Sequence, residues 1–156
     1  MIQLLDTAQA TVYSQDDPVR PHLSAEFRTT SGREMWALVQ DTTVDACICV
    51  AYTNAVPTNE QELDYYSQAA AQDRGTSSVA VFYTVWSYSK GSGQVIVNSV
   101  AEHILNTRPE VERWVTLSPL TRMAERFHTK NGARLVDRYS DCQTFEYTHI
   151  MLKDIE

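Results

Sequence analysis

The chain has 156 residues and a mass of 17.7 kDa, the size of one compact domain. With 43% hydrophobic, 10% aromatic and 21% charged residues, and only five Gly and five Pro, it cannot be a disordered, collagenous or coiled-coil chain. A net charge of −7 argues against a general nucleic-acid binder, which carries a basic footprint.

Taken in chain order, Met1 to Tyr13 reads as an opening strand. Arg33 to Val39 and Ala46 to Thr53 follow as two strands rich in β-branched and aromatic residues. Asn59 to Gln72 is helical, with Leu63, Tyr66 and Ala70 on one face. Ser78 to Tyr88 is the strongest strand, apolar, aromatic or Thr throughout from Val79 to Trp86, as in a strand buried on both faces. After Ser89-Lys90-Gly91-Ser92-Gly93-Gln94 comes a helix with Val97, Val100, Ala101, Ile104 and Leu105 on its apolar face, ended before Pro109. Arg113 to Leu117 is a short strand. Ser118-Pro119 reads as an N-cap followed by Pro in the first turn of a helix. That helix carries Leu120, Met123, Ala124 and Phe127 on one stripe and stops at Asn131-Gly132. Arg134 to Tyr139 and Thr144 to Met151 close the chain as strands. No repeat, low-complexity tract or long linker interrupts this order, so residues 1–156 are expected to form a single α/β (α+β) domain with a mixed sheet.

Charge is unevenly spread. Residues 1–89 hold four Arg against eleven Asp or Glu, whereas residues 90–156 hold nine Lys or Arg against nine Asp or Glu. The second half is thus the better host for a polyanion, and Arg122, Arg126, Lys130, Arg134 and Arg138 recur there every four positions. The same spacing also describes a solvated helix face. The acidic first half could recognise a cationic substrate such as an amine. No apolar run approaches the roughly 20 residues of a membrane span. No secretory signal is visible, and three Cys without a disulfide-scaffold spacing suit a reducing interior. The expectation is a soluble cytoplasmic protein with no nucleic-acid or membrane partner; the sequence permits an oligomer.

Three places could carry chemistry. The turn from Ser89 to Gln94 exposes backbone N–H groups at a helix start, beside Lys90, and Gly91 and Gly93 allow close approach of a phosphate. It is neither a Walker loop nor a dinucleotide fingerprint, and a plain strand-to-helix connection accounts for it equally. Ser118 and His128 form the second place. If the helix starts at Ser118, they lie about 15 Å apart by helical rise, too far to touch, yet they could face one ligand across a groove. Alone, Ser118 is also explained as a cap and His128 as a partly buried structural histidine. Cys47 and Cys49 alternate on one strand face and suit core packing. With no His-x-Glu or His-Glu-x-x-His pattern, no metal site is expected.

The loop, the strong strand before it and the helix ending in Asn-Gly resemble the GNAT superfamily of acyl-CoA-binding enzymes, over nearly the whole chain and most firmly over 78–150. Ala124-Glu125-Arg126-Phe127-His128-Thr129-Lys130-Asn131-Gly132 matches the spacing of that family's last-helix pattern, with His128 where its general-acid Tyr usually stands. Thr116-Leu117-Ser118-Pro119 together with Phe127-His128-x-x-Asn131-Gly132-Ala133 is similar to malonyl-CoA decarboxylase. That family's amino-terminal helical domain and its insertion between the two motifs have no counterpart in these 156 residues. The resemblance implies a mostly antiparallel sheet flanked by helices, and a site for acetyl-CoA or another acyl-CoA at Lys90, Gly91, Ser92, Gly93, Gln94 and Asn131. It implies Ser118 and His128 as the catalytic pair.

The residue types suit either of two reactions. Decarboxylating a malonyl thioester makes an enolate, whose oxygen a hydroxyl and an imidazole can stabilise and whose carbon the imidazole, at an ordinary pKa of about 6.5, can protonate. N-acyl transfer to an amine would use His128 as acid or base, at an ordinary pKa of about 6.5. A non-catalytic interaction domain is the alternative of another class, since eight Tyr and three Trp could build a sticky surface.

Overall fold

The structure, a computed structural model, describes residues 1–150. Strands β1 (Ile2–Leu4), β2 (Glu34–Gln40), β3 (Thr43–Thr53), β4 (Val79–Ser87), β5 (Arg113–Thr116), β6 (Ser118–Pro119), β7 (Arg134–Arg138) and β8 (Cys142–Glu146) form one sheet. Its order is β1-β2-β3-β4-β5-β8-β6, with β7 also on β8. Helices α1 (Thr7–Ser14), α2 (Ala25–Thr29), α3 (Glu60–Gln72), α4 (Ser92–Thr107) and α5 (Arg122–Lys130) flank it. Every pairing is antiparallel except β4 with β5, the pair that α4 joins as a crossover. The mixed, mostly antiparallel architecture is the one expected.

The sheet separates two cores. One face packs Ile48, Phe82, Trp114 and Phe145 against Ile96, Val97, Val100 and Ile104 of α4. The other packs Met35, Cys47, Cys49, Val81 and Tyr83 with Leu63 of α3 and Ala10 of α1. Cys47 and Cys49 are core residues, and burial raises their thiols to about 12 and about 11. No helix among the described residues is long and apolar enough to cross a membrane.

The structure corrects four local expectations. The opening strand stops at Leu4, because Asp6 and Gln9 form a reciprocal capping box and start α1. On α3 the buried face is Leu63, Ser67 and Ala70, with Tyr66 at its edge. Ser118-Pro119 is not a helix cap but β6, paired with Gln143 and Cys142 of β8. Val115 faces Glu146 in the same register, so β5 and β6 run as one ribbon along β8, interrupted at Leu117. The cap of α5 is Thr121, whose Oγ1 accepts from Ala124 N at 3.2 Å. Leu120 and Met123 consequently leave the apolar stripe, at 46% and 82% exposure. Last, β8 is Cys142–Glu146, and the chain turns helical by His149; Met151, the end of the expected strand, lies outside the described residues.

Candidate functional site

The strands β4 and β5 run parallel only from Val79/Arg113 to Phe82/Thr116. Beyond that rung they part. Cys49 of β3 faces Thr84 while Val50 faces Phe82, so Tyr83 is the extra residue of a β-bulge. A bulge bends its strand and resets the alternation of side chains. Here it turns Tyr83 and Thr84 toward the same core, and the strand veers away from β6. Between the two lies a cavity of about 300 Å³, walled by Phe82 to Ser87 on one side and by Leu117, Ser118 and Pro119 on the other. Helix α5 closes it with Met123, Ala124, Phe127 and His128, and Pro18 and Val19 of the α1–α2 loop border it.

Ser118 and His128 thus line one cavity, from a strand and a helix that meet only in the tertiary fold. Ser118 is 3% exposed and donates its hydroxyl to Thr116 Oγ1 at 2.7 Å; the same oxygen accepts Phe145 N at 3.1 Å. His128 is 5% exposed, stacked on Phe145 and edge-on to Phe127. Its Nδ1 hydrogen-bonds Tyr147 Oη at 2.6 Å. Burial pulls the imidazole down to about 4, so at neutral pH it is uncharged. This corrects the expectation of an ordinary, half-titrated histidine.

A hydrogen-bonded network stands behind His128. Asn98 Nδ2 donates to Asn131 Oδ1 at 3.4 Å, which orients the Asn131 amide so that its Nδ2 donates to Tyr147 Oη at 3.5 Å. Tyr147 then has its own proton to give to His128 Nδ1. With the phenol donating, the imidazole hydrogen lies on Nε2, the nitrogen without a protein partner among the described residues. In that tautomer His128 offers a neutral N–H to the cavity.

The loop residues divide. Gly91 caps α4 at φ 84°, a left-handed conformation that favours glycine, and no side chain caps the helix. Ser92 N donates to Ser89 O at 3.3 Å, and the N–H groups of Gly93 and Gln94 stay available. Gly93 borders the cavity, and a Cβ there would stand 3.1 Å from the Phe127 ring, so glycine is what lets α4 begin against α5. Ser92 is buried and shares a hydrogen bond with the Ser89 hydroxyl; Lys90 and Gln94 are exposed. Asn131 is buried at the end of α5, its amide between Asn98 of α4 and Tyr147.

None of the cavity-lining residues is Asp, Glu, Lys or Arg. Among the described residues no group of His, Cys, Asp and Glu is placed to hold a metal ion. Tyr147, which supports His128, escapes a sequence reading, for a lone Tyr carries no motif, and Thr116 stands in the Thr-Leu-Ser-Pro motif with no role of its own assigned. The Thr-x-Ser spacing, which puts both hydroxyls on one face of an extended chain, is the single signal available.

No protein-family model and no curated protein matches the sequence. Solved structures do match its shape. A GNAT-like decarboxylase, GphF, in complex with isobutyryl-CoA, superposes with a TM-score of 0.69 at 12% identity, over 94% of this chain and 98% of that one. Malonyl-CoA decarboxylase from Agrobacterium vitis gives 0.62 at 19% identity over 81% of this chain. This chain spans about a third of that enzyme's length, 35%. A GNAT family acetyltransferase from Elizabethkingia anophelis with acetyl-CoA bound gives 0.56 at 11% identity, covering 94% of both chains. The fold is the GNAT fold, shared by acetyltransferases and decarboxylases that use acyl-CoA.

Proposed function

We propose that residues 1–156 form one acyl-CoA-binding domain that decarboxylates a malonyl-type thioester, with Ser118 and His128 as the catalytic residues. The observation that carries this reading is the uncharged cavity: no ionised side chain lines it, and its histidine is neutral. A malonyl carboxylate entering such a cavity leaves water and gains no cation. Loss of CO2 breaks the bond from that carboxyl to the α-carbon and moves the electron pair onto the thioester oxygen as an enolate. That oxygen is where donors are useful, and preorganised donors stabilise developing charge most in a dry site. His128 Nε2–H and the Ser118 hydroxyl, turned from Thr116, donate to it. The enolate carbon then takes a proton from His128 Nε2–H or from water, and solvent returns the proton to the imidazolate or hydroxide left behind.

The uncapped start of α4, with Gly91, Ser92, Gly93, Gln94 and the nearby Lys90, supports binding of the CoA pyrophosphate by backbone N–H groups and the helix dipole. Asn131 acts here through Tyr147 and His128 rather than on the cofactor. An amine acceptor for acetyl transfer would arrive as an ammonium and meet neither a carboxylate nor a base of useful pKa in the cavity. That weighs against N-acyl transfer and against recognition of a cation by the acidic first half.

Incubation of the protein with malonyl-CoA, read by mass spectrometry, is expected to yield acetyl-CoA. His128→Ala should lower turnover by roughly 10²–10³-fold while CoA still raises the thermal midpoint. Binding of acetyl-CoA with acetylation of an amine and no decarboxylation would replace this reading with N-acyl transfer. No stabilisation by CoA, acetyl-CoA or malonyl-CoA would leave a non-catalytic interaction domain.

A further inference from the structure

The α1–α2 loop and α2 bring three charged side chains, Asp17, Arg20 and Arg28, into the interior. Asp17 and Arg28 pair at 2.7 Å with both side chains fully buried. Arg28 also donates to the carbonyls of Arg20 and Leu23, and Asp17 Oδ1 accepts from Val19 N, Arg20 N and Thr84 Oγ1. These bonds close a self-contained knot that fixes the loop on β4.

Arg20 does something different. Its Nε donates to Tyr83 O at 3.0 Å, one terminal nitrogen donates to Leu117 O at 2.9 Å, and the other to Glu60 Oε2 at 2.6 Å. Tyr83 is the bulged residue of β4, and Leu117 is the residue before Ser118. The last direct bond between the diverging strands is Leu117 N to Phe82 O, at 3.3 Å. The guanidinium therefore supplies the next rung, across a gap the backbones can no longer span. A group needed only to pair with Glu60 would not commit two donors to main chain on opposite walls of the cavity.

We propose that Arg20 is a positioning residue of the site: its planar fork sets the separation of β4 and β6, and with it the place of Ser118 opposite the Tyr83–Ser87 wall. Arg20 does not line the cavity and touches no reacting atom; it acts through two carbonyls. As a contribution to turnover this rests on the decarboxylase reading, whereas the clamp itself does not. A lysine keeps the charge but is a compact point donor that cannot reproduce the fork.

The test compares Arg20→Lys with Glu60→Gln, which removes the ion pair and leaves both carbonyl bonds in place. Arg20→Lys is expected to lower kcat for malonyl-CoA by roughly 10- to 100-fold with KM little changed, as for a small misplacement of a catalytic group. Amide hydrogen exchange at residues 83–87 and 117–119 should rise in the same variant. Glu60→Gln should lower the thermal midpoint but leave kcat and exchange at the fork as in the wild type. Should Arg20→Lys fail to fold, the double variant Arg20→Met/Glu60→Gln removes both charges together and is read in the same way. Unchanged kcat in the Arg20 variants, or losses that merely follow the thermal midpoint in both series, would overturn the proposal. If the wild type does not turn over malonyl-CoA, the decarboxylase reading fails by itself. Fork exchange then decides the clamp, and unchanged exchange in Arg20→Lys overturns it.

Discussion

Two buried polar networks flank the cavity, and they are built from opposite materials. On the side of α1 and α2 the network is ionic: Asp17, Arg28, Arg20 and Glu60. On the side of α5 and β8 it is neutral: Asn98, Asn131, Tyr147, His128, and the Ser118–Thr116 hydroxyl pair. The ionic network meets backbone carbonyls and never lines the cavity; the neutral one presents its ends to it. Full charges, costly to bury unless every donor is matched, serve as scaffold. Neutral dipoles, cheaper to leave half-satisfied at a cavity wall, are the groups left free to meet a substrate.

The largest effect that would break this contrast is on the ionic side. Arg28→Met leaves the Asp17 carboxylate buried without its cation and should destabilise the protein by about 3–5 kcal/mol. For a chain of this size that lowers the thermal midpoint by roughly 10 °C or more, measurable by calorimetry. A change of a degree or two would mean the pair is not the scaffold described.

The neutral side is probed next by pH. His128 sits at about 4 in the fold, while an unfolded histidine titrates near 6.5, so between these values only the unfolded chain takes up the proton. Stability contributed by the neutral imidazole should therefore rise with pH across that window, by up to about 1.4 kcal/mol per unit, and level off above it. Urea midpoints at intervals from pH 4.5 to about 7.5 would show the slope. The same series in His128→Gln should be flatter, and equal slopes would assign the proton uptake to other groups.

A smaller loss is expected from Tyr147→Phe. Without the phenol, Nδ1 loses the donor that keeps the hydrogen on Nε2, at a cost of about 1–2 kcal/mol, or roughly tenfold in kcat. Nitrogen NMR of His128 would report the tautomer directly. A wild type with its hydrogen on Nδ1 would reverse the polarity of the chain from Asn98 to the cavity. Least of all should follow from the exposed Glu125–Arg138 pair, 3.4 Å apart with side chains about half exposed. Glu125→Gln is expected to change stability by less than about 0.5 kcal/mol in a denaturation series, because solvent screens such pairs.

Much of the fold was legible because its signals are local. The unbroken apolar run of β4 marks a strand covered on both faces, and the 3.6-residue period of Val97, Val100, Ala101 and Ile104 marks α4. The two short motifs around Ser118 and His128 named the residues that the fold brings to one cavity. Less legible were the elements with competing local solutions. Ser118 and Thr121 are both good caps, and pairing with β8 selects the second by drawing Ser118-Pro119 into the sheet. Asp6 lies in a stretch with strand-like residues on either side, and its exchange with Gln9 turns the following segment into α1. The charged residues of α2 and of the loop before it look like surface until Arg28 and Asp17 are seen to satisfy one another.

By itself the sequence determined which segments are apolar, at what period, and where helices can start and stop, since propensity, patterning and capping act over a few neighbouring residues. It also determined the residue types present at Gly91, Gly93, Ser118 and His128. Only the tertiary structure decided that Ser118 belongs to a strand and that β4 and β6 part around a cavity. It likewise decided that Arg20 bridges the gap and that His128 is uncharged. Each of these depends on groups far apart in the chain. Arg20 reaches carbonyls 63 and 97 residues away, and Tyr147 lies 19 residues beyond His128. Strand pairing, burial and the protonation that burial imposes are properties of neighbours in space, which spacing along a chain does not encode.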